Sequence, residues 1–454
     1  MLKPLALKNG LTVIRLPKAS NLFVIGFVVP TGYSLERFYY KPGVASLIER
    51  LFKTGTDKHI SKRILNRALE SIGARYYTQT SAEFTGFYIT VPSDNQFKAV
   101  SMLSEIIQHS SFDPKDIEQE KKNLIEDIRN QEMSSVIDST KLSEENIYAD
   151  YAYSEPQLGT VDTINAINEE DILDFLQRQY APSNSYLVIS GNFASKEIAD
   201  QISNEWGFWT PKTKPAYKLK HFNLEELTDS LPRALFKQRG GVETVINTGF
   251  LLSEGIELRI LRETSEEAKQ LLDISGLQGR LFATWAELNV LNSILGLGIS
   301  SRLWLKGVEE EAIFDSIHSE VILYSRSGFF HVSAVANNNQ FGSALETILS
   351  SLDVIRKVNV SPNELEKAKE MSKAKLIIEH EDILFDTIWL TENMITSGFT
   401  FTLEDVLKEI DRVDVNRIRT LAGSLFRAEN FFLTALGTSK ESMVLEKLID
   451  KYLR

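Results

Sequence analysis

Apolar residues along this chain follow two rhythms. In Leu22-Phe23-Val24-Ile25-Gly26-Phe27-Val28-Val29 they run almost without a break, which predicts a buried strand, and residues 11–16, after the turn Asn9-Gly10, predict another. Longer stretches repeat their apolar positions at helical spacing, predicting helices over 45–52, 60–72, 95–108, 114–132 and 169–180. The stretch 114–132 opens on Pro114, carries Asp116 and Glu118 near the positive end of the helix dipole, and puts Ile117, Leu124, Ile125 and Ile128 on one side. Strand-rich segments alternating with amphipathic ones predict, in each half, a sheet with helices packed on one face: an α+β class.

The pattern is used twice. Gly86-Phe87-Tyr88-Ile89-Thr90-Val91 reappears as Gly328-Phe329-Phe330-His331-Val332-Ser333, an offset of 242. Phe97 and Phe341 lie 244 apart, Pro114 and Pro362 lie 248 apart, and Ile172 with Ile418, like Leu187 with Leu433, gives 246. Five landmarks in one order predict a duplication, with small insertions accounting for the drift. Between the copies, Trp209-Thr210-Pro211-Lys212-Thr213-Lys214-Pro215 has prolines and lysines but no periodicity, and acidic residues occupy much of 224–229. The reading is therefore a domain at 1–209, a linker at 210–233 and a second domain at 234–454.

Composition narrows the function. A chain of 454 residues suits two or more domains, and its formal charge of −12 argues against nucleic acid or an anionic membrane as principal partner. It has no cysteine, which removes disulfides, thiolate metal sites and thiol nucleophiles, and which fits a cytoplasmic location. The first ten residues lack the apolar core of a signal peptide, and no uncharged run reaches about 18 residues, so neither export nor membrane insertion is expected of the chain as given, unless a leader preceded it.

Candidate chemistry centres on Gly43 to Thr56. An inverted zinc motif, H-x-x-E-H, places two imidazoles four residues apart on one helix face with a general-base Glu between them. This stretch has that frame, but Ser46 and Arg50 hold the imidazole positions and only Glu49 keeps its chemistry. A guanidinium has no lone pair for a cation, and a neutral hydroxyl is a poor zinc ligand. Elsewhere His59, His109, His221, His318, His331 and His380 show no second His at ligand spacing. His380, in Glu379-His380-Glu381-Asp382, reads as part of a solvated helix face, and His318 and His331 as residues of neighbouring strands. Gly296-Leu297-Gly298 has no lysine at P-loop spacing and reads as a turn after a helix.

With these residues in place, the chain resembles the insulinase-type peptidases, the family that includes the mitochondrial processing peptidase and its inactive paralogues. The resemblance spans nearly the whole sequence. It rests on Leu7 to Val13, on Gly32-Tyr33-Ser34-Leu35-Glu36, on Gly43 to Thr56, on Gly73 to Thr85, and on Leu295-Gly296-Leu297-Gly298-Ile299-Ser300-Ser301-Arg302-Leu303. It implies a LuxS/MPP-like metallohydrolase fold of two half-clamp domains around a chamber. It also implies a third metal ligand 77 residues beyond Arg50, which is Asp127, with Glu120 as the supporting acid. By the same resemblance, 76–83 is the edge strand on which active members lay a peptide, with Tyr76, Tyr77, Thr78, Thr80 and Glu83 as its contacts. Tyr76-Tyr77 is either an aromatic platform for that peptide or a plug. The arginine and tyrosine by which active pairs grip substrate fall on Val308 and Asp315, or one residue on at Glu309 and Ser316, so that pair is missing.

The expectation is a catalytically silent peptidase homologue without a cofactor of its own, in which Arg50 replaces the cation and pairs with Asp127 or Glu49. Its partner would be an active, zinc-bearing subunit of the same family or a second copy of itself, and its ligand a peptide or unfolded polypeptide. The alternatives are a structural assembly protein and, further off, a metallopeptidase of altered site.

Overall fold

The computed structural model describes residues 4–149, 151–218, 227, 231, 233–252, 274–325, 327–397, 402–437 and 442–454. Its strands are β1 (Leu5–Ala6), β2 (Thr12–Pro17), β3 (Leu22–Val29), β4 (Arg75–Thr80), β5 (Thr85–Pro92), β6 (Tyr186–Gly191), β7 (Arg233–Gln238), β8 (Glu243–Leu251), β9 (Phe314–Leu323), β10 (Gly328–Asn337) and β11 (Phe431–Gly437). The longer helices of the first half are α1 (Val44–Leu51), α2 (Lys62–Ser71), α3 (Gln96–His109), α4 (Pro114–Met133), α5 (Ser135–Tyr148), α6 (Glu169–Gln179) and α7 (Ser195–Trp206). Those of the second are α8 (Ile274–Leu295), α9 (Phe341–Lys357), α10 (Pro362–His380), α11 (Ile383–Ser397), α12 (Leu403–Asp411), α13 (Val415–Leu425) and α14 (Ser442–Tyr452).

The strands form two sheets, ordered β1-β2-β6-β3-β5-β4 and β7-β11-β8-β10-β9. Leaving out the two-residue β1, the second order repeats the first strand for strand, as a duplicated chain must. Most neighbours are antiparallel, but β2 with β6 and β7 with β11 run parallel, so each sheet is mixed. The fold is the two-copy α+β arrangement of the sequence reading.

The chain divides into two compact units. One comprises 1–132, 150–220 and 379–400; the other comprises 133–149, 221–378 and 401–454. Each unit thus includes a segment from the other half of the sequence. In the first unit, Phe23, Ile25, Phe27, Phe87, Ile89 and Val91 point from the sheet into a core shared with α1, α3, α6 and α7. The other face, carrying Ile14, Leu16, Val28, Tyr88 and Val188, packs against Leu384, Ile388, Leu390, Met394 and Ile395 of α11. In the second unit, α5 covers the corresponding face, with Leu142 against Val245, Val335 and Leu436, and Asn247 Nδ2 donating to Ser139 Oγ at 3.0 Å.

This geometry corrects one landmark of the repeat. Core-facing residues alternate along a strand. On β5 they are Phe87, Ile89 and Val91. On β10, Phe330 packs on Phe426 at the end of α13, whereas Val335 lies in the cluster with Leu142 of α5, so Phe329, His331 and Ser333 share the α5 face. The offset of 242 pairs Phe87 with Phe329, on opposite faces; an odd offset is required, because a one-residue slip reverses every side chain.

The segment after Trp209 lies along α6. Tyr217 stacks on Tyr39 at 4.3 Å, and the Lys214 amide and ammonium bond Gln177 O and Asp174. The acidic part of the expected linker lies outside the described residues. No helix among the described residues is long and apolar enough to cross a membrane.

Candidate functional site

The site is built on α1. Gly43 caps it with φ +92, and an added Cβ there would lie 2.6 Å from Leu158 O. The fully buried Glu36 carboxyl accepts from the Gly43 and Ala45 amides at 2.5 and 2.7 Å, filling two of the acceptor roles that a helix start leaves open. Burial pushes this carboxyl well above the usual carboxylate range. Val44, Ala45, Leu47, Ile48 and Leu51 fix the helix in the core. Ser46, Glu49 and Arg50, at i, i+3 and i+4, share one flank of it.

None of the three points at a common centre. The buried Ser46 hydroxyl donates to the Gln157 carbonyl at 2.6 Å. Arg50 Nη2 donates to Asp127 Oδ2 of α4 at 2.6 Å, so of the two expected acids it takes Asp127. Glu49 accepts from Lys53 Nζ at 3.0 Å, from Thr80 Oγ1 at 3.1 Å and, on a short bond, from Thr78 Oγ1. Glu120 is buried and serves Lys62 Nζ and Asn123 Nδ2, each at 3.1 Å, rather than Asp127. With Asp127 nearly half exposed, at 46%, the Arg50 pair is solvent-screened and stabilises the fold by less than about 1 kcal/mol.

Zinc is the ion such a helix holds in the motif it resembles, and these residues do not fit it. One ligand position carries a guanidinium already paired with the third, and the other donates its hydroxyl to the backbone. Among the described residues no group of three or more His, Asp or Glu side chains is placed to hold a metal ion. A tetrahedral site needs at least three converging protein ligands.

The edge strand β4 splits its contacts between two faces. Thr78 and Thr80 turn to Glu49, and Gln157 Nε2 donates to the Thr80 carbonyl at 2.7 Å. Tyr76 is half-buried against the core, whereas Tyr77 is exposed, donates to Gln79 Oε1 at 3.0 Å and lies 6.4 Å from the Tyr88 ring. Within the pair, the Tyr76 ring anchors the strand on the core and the Tyr77 ring stays exposed. Burial, followed by the Glu49 carboxylate, raises both phenols. Glu83 accepts from Tyr153 OH at 2.8 Å.

In the second unit, Val308 falls in the π-helical turn Leu305–Glu310 and Asp315 on β9, while Arg302 is held at 2.7 Å by Glu364. Gly296 and Gly298 form a turn at the end of α8. His318 and His331 do lie on neighbouring strands, β9 and β10. His221 lies outside the described residues. His380 is a correction: it is 3% exposed, with Nδ1 at 2.5 Å from Asp386 and its ring 4.7 Å from Trp389, because α11 folds back over the acidic turn.

Sequence reasoning missed Lys53 and Gln157. Lys53 stands four residues after Glu49, the spacing of a helical Glu-Lys pair, and was legible on that ground. Gln157 comes from a distant loop and left no local signal.

Fold, frame and site define the class: this chain belongs to the insulinase (M16) peptidase family. The profile described as Insulinase (Peptidase family M16) matches residues 18–161, and that described as Peptidase M16 inactive domain matches 166–372. Among its relatives, an uncharacterized zinc protease of Bacillus subtilis, YmxG, is 24% identical over 97% of this chain and 99% of its own. The mitochondrial-processing peptidase subunit beta of Dictyostelium discoideum is 22% identical, covering 95% of this chain and 87% of its own. A solved peptidase M16 inactive domain from Pseudomonas fluorescens shares the fold with a TM-score of 0.79 at 16% identity, covering 97% of this chain and 98% of that one.

Proposed function

We propose that this protein is a catalytically silent member of the family that binds no zinc of its own and works beside an active, zinc-bearing subunit, contributing a wall and an edge strand to the peptide chamber they share. The observation that carries this reading is the Arg50–Asp127 ion pair at 2.6 Å, which joins two of the three ligand positions to each other while Glu49 is tied to Lys53, Thr78 and Thr80. A general base must be able to reach a water and take its proton. Here that carboxylate is occupied. An extended peptide adds to a sheet edge through main-chain bonds, and β4, the last strand of its sheet, offers the exposed Tyr77 beside them. That a relative is named a subunit of a processing peptidase supports the paired state.

The test is reconstitution. The chain is mixed with a family member from the same cell that carries an intact H-x-x-E-H helix, and co-elution and hydrolysis of a quenched peptide are followed. Hydrolysis by the mixture, none by this chain alone, and a fall of severalfold with Tyr77→Ala are expected. Hydrolysis by the isolated chain that Glu49→Gln abolishes overturns the proposal.

A further inference from the structure

Away from α1 and β4, the helix layer of the first unit holds a second recess. It lies between α2 and α3, measures about 490 Å3, and is lined by Ala68 and Ile72 in and just after α2, by Phe97 and Met102 of α3, and by Gln201 of α7. The two helices run antiparallel. Just after α2 ends, the Ile72 carbonyl accepts from Asn95 Nδ2, at the start of α3, at 3.0 Å; just before α2 begins, His59 Nδ1 lies 2.7 Å from Glu105 Oε1, near the end of α3. The recess is therefore a groove pinned at both ends and open along its length.

Its floor is apolar and its rim is basic. Ile72 is buried and Met102 packs on the core, whereas Ile60, Ile64 and Phe97 are 73, 40 and 41% exposed, so large apolar side chains gather where the recess opens. Ile64 stands one turn before Ala68 on the same flank of α2. Lys58 and Lys98 line the groove, and Arg67 stands one turn before Ser71, which lines it too. Among the described residues, Arg63, Arg67 and Lys98 meet no carboxylate. Glu105, which also lines the groove, is 8% exposed and already taken: it accepts from Thr56 Oγ1 and faces His59, with Lys58 Nζ at 4.0 Å. Glu205, beside it, accepts from Ser101 and Gln201 at 2.7 and 2.8 Å. From 57 to 75, Lys58, Lys62, Arg63, Arg67 and Arg75 stand against Asp57 and Glu70, in a chain whose formal charge is −12. The sign of the surface is inverted here.

We propose that this groove takes an amphipathic helix of a partner protein, whose apolar stripe seats on Ala68, Ile72 and Met102 and whose acidic flanks face Lys58, Arg67 and Lys98. The inference does not depend on the proposed pairing with a peptidase, since the groove shares no residue with α1 or β4.

Size and shape set the occupant. α2 has 10 residues and is about 15 Å long, which suits a helix of about three turns. The groove has room for a row of side chains but not for a whole helix of about 10 Å diameter, so the occupant's backbone rides at the level of the rim, where the cations are. Apolar anchors sunk in a groove supply the contact, and complementary rim charges choose the partner. An anionic bilayer offers similar chemistry, but it is broad and flat and does not reach a floor sunk between two helices.

The probe is a pair of labelled helical peptides of about 14 residues with leucines at helical spacing, one with glutamates and one with lysines on its flanks, titrated against the full chain by fluorescence polarisation. In about 50 mM salt the glutamate peptide should bind roughly tenfold tighter than the lysine peptide or a scrambled glutamate peptide, and the gap should narrow in about 500 mM salt. Arg67→Glu together with Lys98→Glu, both at exposed positions, should reverse the preference. Ser71→Trp should fill the groove and weaken both peptides about fivefold or more. Where that variant fails to fold, Phe97→Ala, which removes an exposed wall, is read instead. No binding of the glutamate peptide, equal binding of the pair, or a preference unmoved by the double charge reversal overturns the proposal. So does binding of the chain to anionic vesicles, or self-association, that the double reversal abolishes, since either gives the groove to another occupant.

Discussion

Arg50 fills one ligand position of the motif with a side chain that has no lone pair for a metal, while α1 keeps its place in the core. Its guanidinium brings a permanent positive charge to the flank where two imidazoles would hold a metal, and Asp127 still finds a cation. Because the pair is screened, Arg50→Ala should lower stability by only about 0.5 kcal/mol in a urea titration. Restoring the ligands together, with Ser46→His, Arg50→His and Asp127→Glu, should bring near-equimolar zinc by metal analysis, whereas Arg50→His alone should bring none. Glu36 carries more weight, since it is buried and caps α1: Glu36→Ala should cost about 2 kcal/mol in the same titration. At this scale the degenerate ligand set was legible from spacing. His380 was not, because a run of acids around an imidazole looks solvated until the next helix folds over it.

For single elements the sequence pattern served well where one apolar side met one core. β3 and α4 lie within a residue of their predicted bounds, since a continuous apolar run and a Pro-opened amphipathic stretch each admit one solution. What the pattern leaves open is the address of an apolar face. The segments 135–148 and 383–397 have enough apolar residues to pack, but nothing in them specifies which sheet they cover, and the two crossings appear only in three dimensions. The register of β10 escaped for a related reason: Phe329 and Phe330 are equally apolar, and only the pleat separates them. Gly43 opens the motif, yet its positive φ and the nearby Leu158 carbonyl are the stronger constraint. Gly43→Ala should destabilise the chain by roughly 2 kcal/mol, read as a shift in urea midpoint at unchanged slope.

At the scale of the whole molecule, duplication has not yielded two self-sufficient halves. A fragment of residues 1–220 lacks α11 and bares Ile14, Leu16, Val28, Tyr88 and Val188 on the face that helix covers. It should bind an apolar dye several times more strongly than the intact chain does, and a synthetic peptide of residues 379–400 added in excess should reverse most of that signal. Dye binding no greater than that of the full chain would show that the fragment closes its sheet by other means.

The two crossings also order events on the ribosome. All six strands of the first sheet have been made once Gly191 has emerged, yet the helix that finishes its second face is not complete until Ser397. For the whole interval between, the growing polypeptide carries an unfinished greasy surface through the crowded cell. The half synthesised first is therefore among the last to be sealed.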